Sequence, residues 1–293
     1  MDGILLLTQI INGIVTGSMY ALMGAGVTLI YGTMRVMNFA HGEFFMFGGY
    51  VLFIGLVWFG LPVIPSVFLA ITCSAGLAIL VERVLISPII KNNSWELDAI
   101  VTTLGLSFIL QNSALRMIGE EYYSLPYYVD GTLEVFGIVI SYQRILILAV
   151  ALLALIAMER FLRTTRSGQA LRAVSQDPEA ASIVGIPTSR IYMLAFALGG
   201  LLAGVAAVML APIQSVNPWM GAPLLLKAFI VVILGGMGSF RGTIIAGFMI
   251  GIVEAIGTTL TSTEWREAFS FGVLIAIIWF RPEGMFAQKE RQA

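Results

Sequence analysis

The chain alternates long apolar stretches with short polar breaks. Apolar runs cover about Ile4 to Tyr31, Phe39 to Phe59, Pro62 to Leu85, Ile100 to Ile118, Ile145 to Leu162, Tyr192 to Ala211, Leu224 to Gly238, Thr243 to Gly257 and Phe269 to Phe280. A helix of about 20 apolar residues crosses a bilayer core, so each run is a membrane-helix candidate. The seventh and eighth are shorter and read equally as half-helices meeting at Gly238 to Gly242, which puts the count at eight to ten segments. The pattern predicts an all-α, polytopic transmembrane bundle, with broken or re-entrant helices among its members.

The breaks carry the orientation. Basic residues stay on the cytoplasmic side of membrane proteins. With the Arg163 to Arg190 loop placed inside, alternate breaks hold Arg35; Arg83 and Lys91; Arg160, Arg163, Arg166, Arg172 and Arg190; Arg241; and Arg281, Lys289 and Arg291, or 12 of the 16 basic residues. The opposite side includes Gly119 to Arg144, where Glu120, Glu121, Asp130 and Glu134 face one arginine. That loop is expected to be an extracytoplasmic lid or docking surface, with the N-terminus outside and the C-terminus inside. The first run is too long for a signal-peptide core and no Lys or Arg precedes it, so it reads as a retained helix.

Composition sharpens the picture. Hydrophobic residues make up 58% of the chain and charged residues 11%, against about 25% charged in soluble domains. Net charge is -1, which gives no field for nucleic acid. One cysteine, Cys73, and one histidine, His41, exclude an internal disulfide, a Cys/His zinc site and a His-rich cluster. Neither metal nor cofactor is expected.

Ionisable groups within the runs need a reason, because a charge in hydrocarbon costs about 2.5 to 3.5 kcal/mol on insertion scales. His41 and Glu43 follow Asn38 at the start of the second run, Lys227 lies in the seventh and Glu254 in the eighth. Asn38, His41, Glu43 and Glu254 are candidates for lining a solute pathway; for His41, Glu43 and Glu254 the alternative is pairing across helices or snorkelling to an interface. Lys227, four residues into its run, is expected to snorkel to an interface. Gly13 and Gly17, Gly200 and Gly204, and Gly247 and Gly251 have the spacing that lets membrane helices approach closely, here within one subunit. The run holding Gly235, Gly236, Gly238 and Gly242 is glycine-rich enough to break a helix, and points to a re-entrant feature near the solute route.

The loop from 163 to 190 contains helix signals of its own. Gln169 to Val174 is a short helix-forming run, then Asp177 suits an N-cap and Pro178 the first helical position. The second turn, Glu179-Ala180-Ala181-Ser182-Ile183-Val184, is expected to stop at Gly185 through positive φ. Ala180, Ala181, Ile183 and Val184 would form an apolar face for docking another protein. A solvated helix without a partner is the plainer alternative.

Several motifs together resemble the branched-chain amino acid family of ATP-binding-cassette importer permeases. They are Asn38-Phe39-Ala40-His41-Gly42-Glu43, Gly105-Leu106-Ser107-Phe108-Ile109-Leu110-Gln111-Asn112, Leu171-Arg172-Ala173, Gly185-Ile186, the Gly235 to Gly242 run and Arg281-Pro282-Glu283-Gly284. They span nearly the whole chain in the family's order. Glu179-Ala180-Ala181 with Gly185 also resembles the coupling motif of importer permeases, although its Ile-x-Leu-Pro continuation is missing. The resemblance implies one permease domain over 1–293, with Arg172, Glu179, Ala180, Ala181 and Gly185 in ATPase coupling. The implied partners are a second homologous permease, two ATPase subunits, an extracytoplasmic solute-binding protein and membrane lipid. It implies a bacterial or archaeal cell membrane, and solutes of branched-chain amino acid type or, in related permeases, urea, short amides or organic acids.

Other classes fit less well. A phosphate loop needs Gly-Lys-Ser/Thr, and Lys91, Lys227 and Lys289 follow Ile90, Leu226 and Gln288, so ATP hydrolysis is expected from partner chains. An intramembrane aspartyl protease needs two aspartates at depth, whereas Asp2, Asp98, Asp130 and Asp177 fall in breaks or ends. No Gly-x-Ser-x-Gly elbow accompanies His41 for a serine hydrolase. An ion-coupled transporter or channel using Glu43 and Glu254 for protons is the remaining alternative.

Overall fold

The computed structural model describes residues 3–90, 95–135 and 137–286. Each of the nine apolar runs is a helix. In order these are α1 (Gly3–Met34), α2 (His41–Phe53, continued by a π-helical turn Ile54–Trp58), α3 (Val63–Val81, continued through a π-helical turn to the short α4, Ser87–Ile89), α5 (Trp95–Ile118), α6 (Tyr142–Thr164), α9 (Thr188–Leu210), α10 (Gly221–Gly235), α11 (Phe240–Leu260) and α12 (Arg266–Phe280). The 163–190 segment adds α7 (Arg166–Gln176) and α8 (Pro178–Ile183). Six of the nine are long and apolar enough to span a membrane, and α5, α10 and α12 complete the polytopic bundle. Among the described residues the expected all-α character has one local exception: β1 (Thr132–Val135) and β2 (Ile138–Ser141) pair antiparallel with Thr132 opposite Ser141. This hairpin lies before α6 and α7 lies after it, so they mark opposite ends of the bundle.

Small residues set the helix contacts. A Cβ on Gly13 would meet the Gly251 carbonyl oxygen at 2.8 Å, and one on Gly17 would meet that of Gly247 at the same distance. Two of the glycine pairs thus pack on each other, α1 against α11. Gly200 and Gly204 of α9 instead pack on α3 beside Ser74. Ser74 Oγ lies 2.8 Å from the Phe44 carbonyl and 2.9 Å from that of Gly200, so its single proton joins α2, α3 and α9. All three pairs serve packing inside one subunit, where close van der Waals contact replaces the hydrophobic drive that lipid removes.

Two helices begin inside the bundle instead of at its ends. Met34 ends α1 and Arg35 turns the chain with φ 53°. The chain then doubles back, so that His41, the first residue of α2, lies beside Gly26. Gly26 is eight residues, about 12 Å of helix, before the end of α1. Residues 211–220 do the same after α9, and α10 starts at Gly221 against Gly42. The two turns have matching bonds. The amide of Ala40 donates to Asn38 Oδ1 at 3.0 Å, and that of Trp219 to Asn217 Oδ1 at 3.0 Å. The His41 and Met220 amides donate to the Asn38 and Asn217 carbonyls, each at 3.3 Å. At the crossing a Cβ on Gly42 would come within 2.6 Å of the Gly221 oxygen, and one on Gly221 within 2.2 Å of the Gly42 oxygen. From this point α2 runs toward the hairpin end, where Phe53 stacks on Tyr123 at 4.2 Å. In the other direction α10 runs to the α7 end.

The glycine run after α10 is a tight turn between helices and not a re-entrant break. Gly236 and Gly238 have φ 96° and 86°, Ser239 Oγ accepts from the Gly242 amide at 3.2 Å, and Gly235 and Gly242 touch through their backbones. Because α11 then continues for 21 residues, only α10 of this pair is short, at 15 residues. The break that sequence placed at 238–242 lies before α10, at 211–220, where no glycine run marks it.

Candidate functional site

The four pathway candidates fall into two places. Asn38, His41 and Glu43 gather at the start of α2 and are buried. Glu43 Oε1 accepts from Ser107 Oγ at 2.8 Å and from Gln111 Nε2 at 2.7 Å. Two of the sequence motifs therefore meet through one carboxylate. Ser107 and Gln111 were not singled out as site residues, although their four-residue spacing puts them on one face of α5. The His41 ring packs edge-on to Phe44 at 5.6 Å. Neither ring nitrogen, nor Glu43 Oε2, has a hydrogen-bond partner among the described residues.

Glu254 sits elsewhere, with Lys227. Lys227 Nζ is 2.5 Å from Glu254 Oε1, 2.9 Å from Ser270 Oγ and 2.7 Å from Glu267 Oε2. Tyr20 donates to Glu254 Oε2 at 2.8 Å, and Ser270 also bonds the carboxylate. The expectation that Lys227 snorkels is overturned, since its side chain is only 4% exposed and is held by α11 and α12. Snorkelling presumes a helix that starts at the membrane face, and α10 starts within the bundle. Cavities flank the pair. One of about 260 Å³ is lined by Asn12, Tyr20, Arg144, Glu254 and Arg266; a neighbouring one of about 530 Å³ shares Tyr20 and Arg266 and reaches Lys227 and Trp219. Both lie toward the hairpin end. There the 119–131 loop bridges to the 211–220 segment through Tyr123 and Val216, and Tyr128 donates to the Val208 carbonyl at 2.7 Å. Burial raises the Tyr128 phenol above its ordinary pKa, which keeps that donor protonated.

At the α7 end the cap signals read from sequence are in place. Asp177 accepts from the Glu179 and Ala180 amides, each at 2.9 Å, and Pro178 opens α8. Gly185, at φ 88°, ends it: its amide donates to Ser182 and that of Ile186 to Ala181, both at 3.0 Å, the paired bonds of a Schellman motif. One residue of the expected docking face is misplaced. Ala181 is 4% exposed and packs into its own subunit, because it is the side of this short helix that anchors the loop. Ile183 and Val184 are 84% and 75% exposed, and Glu179 and Ala180 are also exposed. Arg172 lies on α7 and lines a separate cavity of about 290 Å³ with Glu159, Arg163 and Arg241.

Residues 9–278 match the family described as branched-chain amino acid transport system / permease component. The chain belongs to this family. Within the permease family it is 34% identical to the high-affinity branched-chain amino acid transport system permease protein BraD of Pseudomonas aeruginosa, covering 97% of this chain and 96% of that protein. It is 36% identical, with the same coverage, to the permease protein LivH of Escherichia coli K12. A probable branched-chain amino acid transport permease LivH of Methanocaldococcus jannaschii is 30% identical over 91% of this chain and 86% of its own length. The permease family thus matches nearly the whole bundle, from α1 to α12.

Proposed function

We propose that the chain is the membrane-spanning subunit of an ATP-driven importer that passes branched-chain amino acids inward. In this reading a second permease completes the translocation unit, two ATPase subunits dock at the α7 end, and a solute-binding protein delivers at the hairpin end. The α7 end is cytoplasmic, in keeping with its arginines. Family membership supports the transport role. The observation that carries the coupling reading is the exposed Ile183 and Val184 pair on a helix fixed by caps at both ends. An apolar pair held rigidly in a basic segment suits insertion into a partner's cleft. Pairing of Glu254 with Lys227 gives that carboxylate a structural role and removes one support for proton coupling.

Changing Ile183 and Val184 together to Asp puts unpaired charge into that contact. Capture of the ATPase by the tagged permease is expected to fall roughly tenfold or more, with membrane insertion unchanged; capture and uptake at the unmodified level would refute the docking role. Ala181→Glu is expected instead to lower the yield of folded permease, since that side chain faces inward. The purified chain alone is expected to hydrolyse no ATP, measured by phosphate release, and activity should appear on adding the ATPase subunits.

A further inference from the structure

The cavity at the α7 end has a composition that the import reading does not use. Its floor is apolar and aliphatic, with Leu29 of α1, Leu162 of α6 and Leu171 of α7, all buried. Its rim is charged: Glu159 and Arg163 from α6, Arg172 from α7 and Arg241 from the first turn of α11. Glu159 Oε1 takes both ion pairs, from Arg163 Nε at 3.0 Å and from Arg241. Glu159 Oε2 carries no hydrogen bond among the described residues, and Arg172 has no carboxylate partner among them. The α11 N-terminus, capped by Ser239, borders the same space and adds a positive dipole end.

We infer that this cavity is a product-side binding site for a free branched-chain amino acid, which on occupying it from the cytoplasm slows further import. The inference rests on the proposed function for the identity of the solute and for sidedness. The chemistry of the ligand follows from the lining. Arg172 and Arg241 can hold a carboxylate, with the planar donor pairs that guanidinium groups offer. Glu159 Oε2 is the acceptor for an ammonium group. Three leucines receive a branched aliphatic side chain. The volume of about 290 Å³ is at the lower edge of small-molecule sites, about 300 to 1,000 Å³. A plain phosphate or lipid headgroup site would gain nothing from the leucine floor and would be opposed by Glu159.

The test uses the complete importer in proteoliposomes, with binding protein and labelled leucine outside and ATP in the lumen. Unlabelled leucine in the lumen is expected to lower the initial uptake rate several-fold. Luminal isocaproate, which lacks the ammonium, and leucinol, which lacks the carboxylate, should each be at least about tenfold weaker, as loss of a charged hydrogen bond implies. Glu159→Gln and Arg241→Gln should each weaken the leucine effect by a similar factor, with every variant referred to its own rate with an empty lumen. Labelled leucine binding to the permease and ATPase complex without binding protein reads the site independently of transport. Normal uptake with no such binding, or with no luminal inhibition, overturns the inference, as does isocaproate or phosphate competing as well as leucine. Leucine binding without leucine uptake leaves the site standing and refutes the proposed function instead.

Discussion

Lys227→Met is expected to destabilise the permease by about 3 to 5 kcal/mol, the usual cost of removing one partner from a buried ion pair. It leaves Glu254 with only Tyr20 and Ser270 as donors among the described residues, at a carboxylate whose side chain is 3% exposed. Glu254→Gln should cost less, because Lys227 keeps Glu267 at 2.7 Å, a carboxylate that reaches solvent. Combining Lys227→Met with Glu254→Leu removes both charges and should recover much of the loss, since apolar replacements of buried pairs are often neutral. Thermal unfolding of the detergent-solubilised chain, followed by loss of the monodisperse peak, ranks the variants. Equal midpoints for Lys227→Met and the unmodified protein would show that the pair contributes nothing.

Gly221→Val is expected to have a still larger effect. The first added carbon would lie 2.2 Å from the Gly42 carbonyl oxygen, and backbone meeting backbone has no rotamer through which to relax. Overpacking costs about 1 to 3 kcal/mol where side chains can shift; here the crossing itself must separate, so little folded permease should be recovered. Gly76→Ala is the control, because a Cβ there meets nothing within 4 Å. Yield of monodisperse protein at matched expression is the measurement. A Gly221→Val variant as abundant as Gly76→Ala would mean that α2 and α10 do not cross where the structure has them.

Sequence reading located every long helix because each depends on a local property, a run of apolar residues. The α8 caps were equally legible, since Asp177, Pro178 and Gly185 act within a few residues of themselves. What was hidden depends on depth and on partners far along the chain. Lys227 was misread because hydropathy does not show that α10 starts inside the bundle. Ala181 was assigned to the docking face because a short helix does not announce which side anchors it. A signal for the crossing was present: Asn38 and Gly42 recur as Asn217 and Gly221 at the same spacing. It is only two residues deep, and becomes meaningful once the matching amide bonds are seen. Ser107 and Gln111 lie within one of the motifs, yet their bond to Glu43 depends on the placement of α5 beside α2.

The backbone crossing has a mechanical consequence. α2 and α10 leave one point toward opposite ends, touching where Gly42 meets Gly221. The closest approach is backbone on backbone, with the side chains of Leu225 and Met220 packed beside it. With arms of about 27 Å for the 18 residues of α2 and its π turn, and about 22 Å for the 15 of α10, a tilt of about 5° moves each far end by about 2 Å. A tilt of α2 therefore moves its end beside Tyr123, and a tilt of α10 the turn that carries Gly236, while the crossing between them keeps its place.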